Sequence, residues 1–218
     1  MILSRIRERL GVSGNDRGRR QAVEERLRRH SRNTIPGRAK GERDALFAMM
    51  TEMLSAQGAE VTRAATPEEA IRAIAEDLRE HALPLRLRMG DDAELAALPW
   101  DVAPEVERAF GKAEDADRAS LSRAFAAAAE TGTLFLVSGG DNPTTLAFLP
   151  EVHFVLIRAG DVAGAYEEVF DRLRAIYGEG KLPRTVNLIS GPSRTADIEQ
   201  TIVRGAHGPK RLHVLILG

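Results

Sequence analysis

Three segments of the chain carry apolar residues at the three- and four-residue spacing of an amphipathic helix. The first spans residues 42–57 and stops before Gly58. The second follows Thr66, which can cap a helix, and Pro67, which suits a first helical turn. The third spans residues 161–177. The pattern predicts a helix in each of these segments.

Segments of strand length alternate with these helices. Short ones lie at residues 59–63 and 85–89, and largely apolar ones follow at residues 133–137, 153–157, 186–189 and 212–217. Continuous apolar runs are typical of strands that are covered on both faces, as in a parallel sheet. A last helix is predicted over residues 195–204. The alternation predicts an α/β fold with helices on both sides of the sheet.

Residues 1–41 are predicted to form a basic, partly flexible arm with a short helix at residues 21–30, and residues 42–218 the α/β domain. Residues 1–43 hold 13 Lys and Arg against five Asp and Glu, although the whole chain has a net charge of −1. A basic arm can bind nucleic acid or an acidic partner, or it can solvate short helices and neutralise an acidic body. Because no aromatic residues alternate with the basic ones, we do not expect nucleic-acid binding.

Composition excludes several kinds of chemistry. There is no cysteine in the 218 residues, which excludes disulfides, thiol nucleophiles and protein-thiolate iron–sulfur clusters within this chain. The five histidines show no metal-ligand spacing, so no metal site is predicted. No apolar stretch approaches the ~18 residues of a membrane span, and the first residues lack the apolar core of a signal peptide. We expect a soluble, cytoplasmic protein, and a homo-oligomer is compatible with the sequence.

Two predicted loops lie beyond the carboxyl ends of strands, where open α/β sheets bind their ligands. One follows Val137, where Gly139 lets the backbone approach a ligand and Asn142 offers a polar contact. The other begins at Gly191, after the strand that ends at Ile189. Neither loop matches a phosphate-binding P-loop or a dinucleotide-binding glycine pattern.

The loop at Gly191 leads into the helix predicted from Thr195. Backbone amides at a helix N-terminus favour an anion, and Arg194 would add a positive charge there. The hydroxyls of Ser193 and Thr195 can hold a phosphate or a carboxylate, or they can simply cap the helix. Asp197 can likewise be an ordinary first-turn acid.

Glu130 stands directly before the strand at residues 133–137. A carboxylate in that position can act as a nucleophile or a general base if burial tunes its pKa. It can equally accept backbone hydrogen bonds in a turn, and the sequence alone does not separate these two hypotheses.

Four motifs occur in one order: Ala129-Glu-Thr-Gly-Thr-Leu134, Leu149-Pro-x-x-His153, Ile189-Ser-Gly-Pro-Ser-Arg-Thr-Ala-Asp-Ile-Glu199 and Gly205-x-His-Gly-Pro209. Together they resemble the LUD-domain family of lactate utilisation protein C, over residues 42–218 at the level of the fold. The resemblance implies a Rossmann-like, three-layer α/β domain of the NagB/RpiA/CoA-transferase-like kind. The residues that match the family pattern are Glu130, Thr131, Gly132, His153, Gly191, Ser193, Arg194, Thr195, Asp197, Glu199, His207 and Gly208.

The same resemblance implies a role in the oxidation of L-lactate to pyruvate by a three-component iron–sulfur system. A chain without cysteine would be the cluster-free component, which binds a small anionic metabolite or an iron–sulfur partner subunit. Fold kinship with CoA transferases suggests Glu130 as a nucleophile, by analogy only. The alternative is an autonomous enzyme that acts on a phosphorylated or CoA-linked carboxylate. No cofactor is indicated.

Overall fold

The computed structural model describes residues 2–178, 180–198 and 201–218, and it divides at Ile35 into two units. The first unit contains helix α1 (Ile2–Arg9) and helix α2 (Arg17–Arg29), neither of which has a buried residue. Asp16 caps α2 by accepting a hydrogen bond from the Arg19 amide at 3.1 Å. The predicted helix at residues 21–30 is thus present and begins earlier, at Arg17.

The second unit, Pro36–Gly218, contains the remaining elements. Its α-helices are α3 (Arg43–Ala56), α4 (Pro67–Glu80), α5 (Ala93–Ala96) and α6 (Tyr166–Tyr177). Its strands are β1 (Glu60–Ala64), β2 (Arg86–Met89), β3 (Glu107–Phe110), β4 (Ala119–Arg123), β5 (Ala126–Ala128), β6 (Thr133–Val137), β7 (Val152–Arg158), β8 (Val162–Ala163), β9 (Val186–Ile189), β10 (Arg194–Ile198), β11 (Thr201–Arg204) and β12 (Arg211–Leu217). In the described part of the chain, no helix is long and apolar enough to cross a membrane.

Six strands form one parallel sheet in the order β1-β12-β7-β4-β2-β3. Helix α4 covers one face of it, as predicted: the Thr66 hydroxyl accepts from the Glu69 amide and begins the helix, and Ile71 and Ile74 are buried against the strands. Trp100 packs into the same core and donates its indole N–H to the Leu95 carbonyl. The parallel sheet and its helices confirm the predicted α/β class.

A second sheet, in the order β8-β5-β6-β9, lies on the other face of the parallel sheet together with α3. Helix α6 covers the outer face of this second sheet. Strands β6 and β9 were expected to join a parallel sheet, and this is wrong, because they pair antiparallel to each other. A continuous apolar run indicates that a strand is buried on both faces, as in a parallel sheet. The strands of a sheet that lies between another sheet and a helix are buried in the same way.

Strand β5 consists of three alanines and has alanines on either side, Ala124 and Ala129, all of them buried. Ala127 faces the parallel sheet, whereas Ala126 and Ala128 face α6. Side chains of this size let the two sheets and the helix approach closely. The sequence does not predict this strand, because alanine is the strongest helix former and does not mark a strand.

Asp77, on the buried face of α4, joins this helix to β12 and β1. Its carboxylate accepts two hydrogen bonds from the Arg211 guanidinium, at 3.0 and 2.6 Å, and one from His213 Nδ1 at 2.7 Å. His213 Nε2 lies 2.8 Å from Thr62 Oγ1. Burial alone would raise the pKa of Asp77, but the hydrogen bonds from His213 and Arg211 and the charge of Arg211 outweigh it and lower the pKa to about 2.

Acid should remove the contribution of Asp77, because a carboxylate whose pKa falls on folding stabilises the fold only while it is ionised. The contribution should be complete above about pH 5 and lost as the pH falls through about 2, by about 2 kcal/mol. Urea unfolding of the wild type and Asp77→Asn across this range measures it: the difference in free energy of unfolding should shrink towards low pH. The exposed control Glu107→Gln should change the free energy by less than about 0.5 kcal/mol at every pH. An Asp77→Asn difference that does not vary with pH contradicts the assignment.

Candidate functional site

A cavity of about 300 Å³ lies at the amino ends of β7 and β12, next to the end of β9. Three segments line it: Ala147 and Phe148 before β7, Leu188–Arg194 after the middle of β9, and His207–Pro209 before β12. His153 and Leu212 complete the wall. The cavity thus brings together six of the residues that match the family pattern, namely His153, Gly191, Ser193, Arg194, His207 and Gly208. It lies at the amino edge of the parallel sheet, whereas the sequence pattern predicts the carboxyl edge.

His153 is the buried polar group of this cavity. It lies on β7 and shares the face of Val155 and Ile157, which pack towards the second sheet. Its Nε2 is 3.0 Å from the Ser122 hydroxyl of β4. Its Nδ1 is buried, and the described residues offer this nitrogen no hydrogen-bond partner. Burial lowers the pKa of His153 to about 3, so the ring is neutral near pH 7.

Ser193 fastens the rim of the cavity. Its backbone N–H donates to the Pro209 carbonyl at 2.8 Å, and its carbonyl accepts from the Gly205 amide at 3.1 Å. Its hydroxyl accepts from the His207 amide at 3.4 Å. These bonds hold two motifs of the sequence side by side and join residues that are 12 to 16 positions apart in the chain.

Residues 195–198 and 201–204 do not form the predicted helix. Strands β10 and β11 pair antiparallel instead, with Arg194 opposite Arg204 and Thr195 opposite Val203. Five of the eleven residues from 194 to 204 are β-branched. Residues of this kind favour a strand over a helix, so this content could have predicted the two strands. The anion site proposed at a helix N-terminus therefore has no helix behind it. The described side chains do not include those of Thr195 and Asp197, and Glu199 lies outside the described residues.

Arg194 provides positive charge at the cavity and is exposed. Its guanidinium lies over the end of α3: a Cβ added to Gly58, whose φ is +81°, would come within 2.0 Å of Arg194 Nη2. Among the described residues, Arg194 has no carboxylate within ion-pair distance. Gly191 also packs there, since a Cβ added to it would lie 2.8 Å from Gln57 Cβ.

Glu130, Thr131 and Gly132 lie apart from the cavity lining. The buried Glu130 carboxylate accepts from the Tyr166 amide at 3.1 Å, at the start of α6, as the structural hypothesis for this residue expects. A catalytic role for Glu130 stays a prediction. Gly132 has a φ of +64° and packs so tightly on α3 that an added Cβ would lie 2.9 Å from the Leu54 amide nitrogen.

A hydroxyl cluster connects this loop to the cavity. Thr133 Oγ1 lies 2.8 Å from Thr131 Oγ1, 2.6 Å from the Tyr166 hydroxyl and 2.7 Å from the Ser190 hydroxyl. Ser190 itself lines the cavity. Sequence reasoning missed both Ser190 and Ser122. Ser190 could have been found as the neighbour of Gly191, but Ser122 could not, because its role depends on β4 pairing with β7.

Gly139 and Asn142 belong to a different region, at the carboxyl ends of β2 and β3. Gly139 lines a second cleft there. The Asn142 side chain is buried and donates to the Val137 carbonyl at 3.2 Å, which holds the loop in place. The predicted site residues whose side chains are described thus divide between the cavity, the Glu130 loop and the loop after β6.

The model of the LUD domain family matches residues 47–217. An uncharacterised protein of Neisseria meningitidis serogroup B is 31% identical over 202 residues, which cover 81% of this chain and 86% of that protein. The lactate utilization protein C of Halalkalibacterium halodurans is 37% identical over 120 residues, or 54% of this chain and 51% of that protein. That of Shouchella clausii is 31% identical over 118 residues, again 54% and 51%.

The chain thus spans about half the length of these two lactate utilization proteins. Among solved structures, a DUF162 family protein from Deinococcus radiodurans is similar with a TM-score of 0.58 and 23% identity. The similarity covers 82% of this chain and 99% of that one, and it supports the fold.

Because desolvation disfavours the charged ring, His153 should stay neutral where an ordinary histidine titrates. We expect its imidazole nitrogen shifts to stay constant between about pH 8 and pH 5 in NMR spectra of the folded chain. In the chain unfolded by urea, the same ring should titrate near its usual value of about 6.5. The spectrum of His153→Gln assigns the signal. Titration of the folded-state signal in this range would contradict a dry, neutral ring.

Proposed function

Because this chain belongs to the LUD domain family, we propose that it serves L-lactate utilisation as a component that holds no iron–sulfur cluster. In this proposal the cavity at His153 binds a small anionic metabolite, and iron–sulfur partner subunits carry the electrons of lactate oxidation. The names of the relatives from Halalkalibacterium halodurans and Shouchella clausii support the pathway. The lack of cysteine supports the separation of the clusters from this chain.

The single observation that carries the binding proposal is the buried Nδ1 of His153, a residue that lines the cavity, because the described residues offer this atom no hydrogen-bond partner. A buried polar atom without a partner costs about 1–3 kcal/mol, which a ligand with a matching polar atom recovers. A cavity of about 300 Å³ is at the lower end of the usual range for ligand sites, about 300–1,000 Å³. It therefore fits a small metabolite better than a nucleotide or a CoA ester.

The charges and hydroxyls of the cavity favour a 2-hydroxy or 2-oxo acid. Arg194 supplies the charge, and a guanidinium binds a carboxylate through two parallel hydrogen bonds. His153 can then meet the oxygen on the neighbouring carbon, and Ser190 offers a further hydroxyl. L-lactate and pyruvate share this arrangement of a carboxylate beside one oxygen.

The low pKa of His153 favours a binding role over base catalysis. A ring with a pKa of about 3 is a weak base at neutral pH, whereas an efficient general base has a pKa near the working pH. The residues of the cavity can therefore hold and orient the acid, and the proposal assigns the transfer of electrons to the partner subunits.

Ligand binding tests the cavity directly. We expect calorimetry to detect L-lactate and pyruvate binding to the wild type and a loss of about tenfold or more in Arg194→Gln, because a charge-assisted hydrogen bond is removed. The exposed, matched control Arg72→Gln should bind like the wild type. The double variant Ser122→Ala/His153→Leu removes both partners of one hydrogen bond and should keep the fold while losing affinity. Absence of binding of either acid to the wild type would contradict the ligand assignment.

Growth tests the pathway. Deletion of the gene should prevent growth on L-lactate as sole carbon source and leave growth on pyruvate unchanged, because pyruvate lies after the oxidation step. Wild type and Arg72→Gln should restore growth on lactate, and Arg194→Gln should not. Normal growth on L-lactate of a deletion strain with no second copy of the gene would overturn the proposed function. Iron that co-purifies with the tagged chain would support the partner assignment.

A further inference from the structure

A second cleft, of about 590 Å³, lies at the carboxyl ends of β2 and β3, away from the cavity at His153. Gly111 and Lys112 follow β3, Asp91 follows β2, and the loop after β6 contributes residues 138–140 and 143–145. Arg184 and Thr185, before β9, form the remaining wall. Carboxyl ends of parallel strands are the usual ligand position in open α/β sheets. The function proposed above makes no use of this cleft.

Two cations from separate segments face this cleft. Neither Lys112 nor Arg184 has a carboxylate within ion-pair distance among the described residues, although both line the cleft. Asp91 is the one acidic residue of the described lining, so the lining carries a net positive charge. Cations that are not neutralised within the protein favour an anionic ligand.

The hydroxyl groups of the cleft have protons to donate. Ser138 Oγ accepts from the Thr185 amide at 3.0 Å, and Thr145 Oγ1 accepts from the Ala113 amide at 2.9 Å. A hydroxyl that accepts from a backbone N–H still has its own proton, which can go to an anion oxygen. The same two bonds hold both hydroxyls in place before any ligand arrives.

Glycines keep the floor of the cleft open while the loop stays fixed. A Cβ added to Gly111, whose φ is +102°, or to Gly140 would meet no atom within 4 Å. By contrast, a Cβ added to Gly90 would lie 2.0 Å from the Asp141 carbonyl oxygen. The Asp91 amide donates to the Gly140 carbonyl at 3.1 Å. The loop after β6 is therefore fastened to the end of β2, with bare backbone towards the cleft.

We propose that this cleft binds the phosphate group of a phosphorylated metabolite. Lys112 and Arg184 contact the phosphate oxygens, Ser138 and Thr145 donate their hydroxyl protons, and the remaining volume holds the rest of the molecule. Four donors from three segments suit the several oxygens of a phosphate better than the two of a carboxylate. The site is independent of the lactate proposal, because it lies at the opposite edge of the parallel sheet.

Calorimetry with inorganic phosphate and with ATP tests this proposal on the full chain, with sodium chloride at matched ionic strength as the blank. Wild type should bind, and Lys112→Ala and Arg184→Ala should each weaken binding about tenfold or more. Lys181→Ala, an exposed lysine outside the cleft, should bind like the wild type. Asp91→Asn should bind more tightly, since a repelling charge is removed. Tighter binding of ATP than of phosphate would indicate that the volume holds the rest of a nucleotide-sized ligand.

Two results would overturn the proposal: no binding of either phosphate compound to the wild type at millimolar concentration, or equal binding by the wild type, Lys112→Ala and Arg184→Ala. A loss caused by Arg194→Gln would also overturn it, because that result moves the phosphate to the other cavity. Circular dichroism and urea unfolding of each variant show whether the fold is intact. The outcome is separate from that of the lactate experiments, which depend on Arg194 and His153.

Discussion

Close packing of two sheets, made possible by a strand of alanines, is the constraint on which the rest of the molecule depends. Strand β5 presents Ala127 to the parallel sheet and Ala126 and Ala128 to α6, so a methyl group is the largest side chain on either face. A larger side chain in such a position typically costs about 1–3 kcal/mol, because the layers must move apart. The second sheet thereby covers the inner face of β7 and β12. Strand β9 of the second sheet ends over the amino ends of β7 and β12, where the cavity forms.

The parts of the fold that local chemistry determines could be predicted from the sequence. Helices α3 and α4 follow from apolar spacing and from the Thr66 cap, and β7 and β12 from continuous apolar runs. What could not be predicted depends on partners far along the chain. The same kind of run describes β6 in an antiparallel sheet and β7 in a parallel one, and the alanines of β5 form a strand only because two layers meet there. Residues 194–204 are a different case, because their β-branched residues could have predicted strands from the sequence alone. The helix prediction followed instead from the apparent helix start at this point of the chain.

The candidate site shows the same division. Family resemblance predicted His153, Ser193, Arg194 and His207, and the structure brings them to one cavity. The position of the site in the fold could not be predicted. Ligands of open α/β sheets usually bind at the carboxyl edge of the sheet, whereas these residues meet at the amino edge. Glu130 belongs to the same set of motifs, yet its carboxylate is bound to the first turn of α6. The side chain of this motif residue thus contacts a helix start, while His153, Ser193, Arg194 and His207 line the cavity.

The pairing of His153 with Ser122 has one more consequence. A neutral imidazole exists as two tautomers, and the serine hydroxyl can rotate to suit either. When the hydroxyl donates to Nε2, the free Nδ1 carries a proton and is a donor; when Nε2 donates to the hydroxyl, Nδ1 becomes an acceptor. The same heavy atoms, held 3.0 Å apart, can therefore complement an alcohol or a ketone without any movement of the backbone. If the cavity binds the acid proposed above, the His153–Ser122 pair can hydrogen-bond the reduced and the oxidised member of one redox couple in turn.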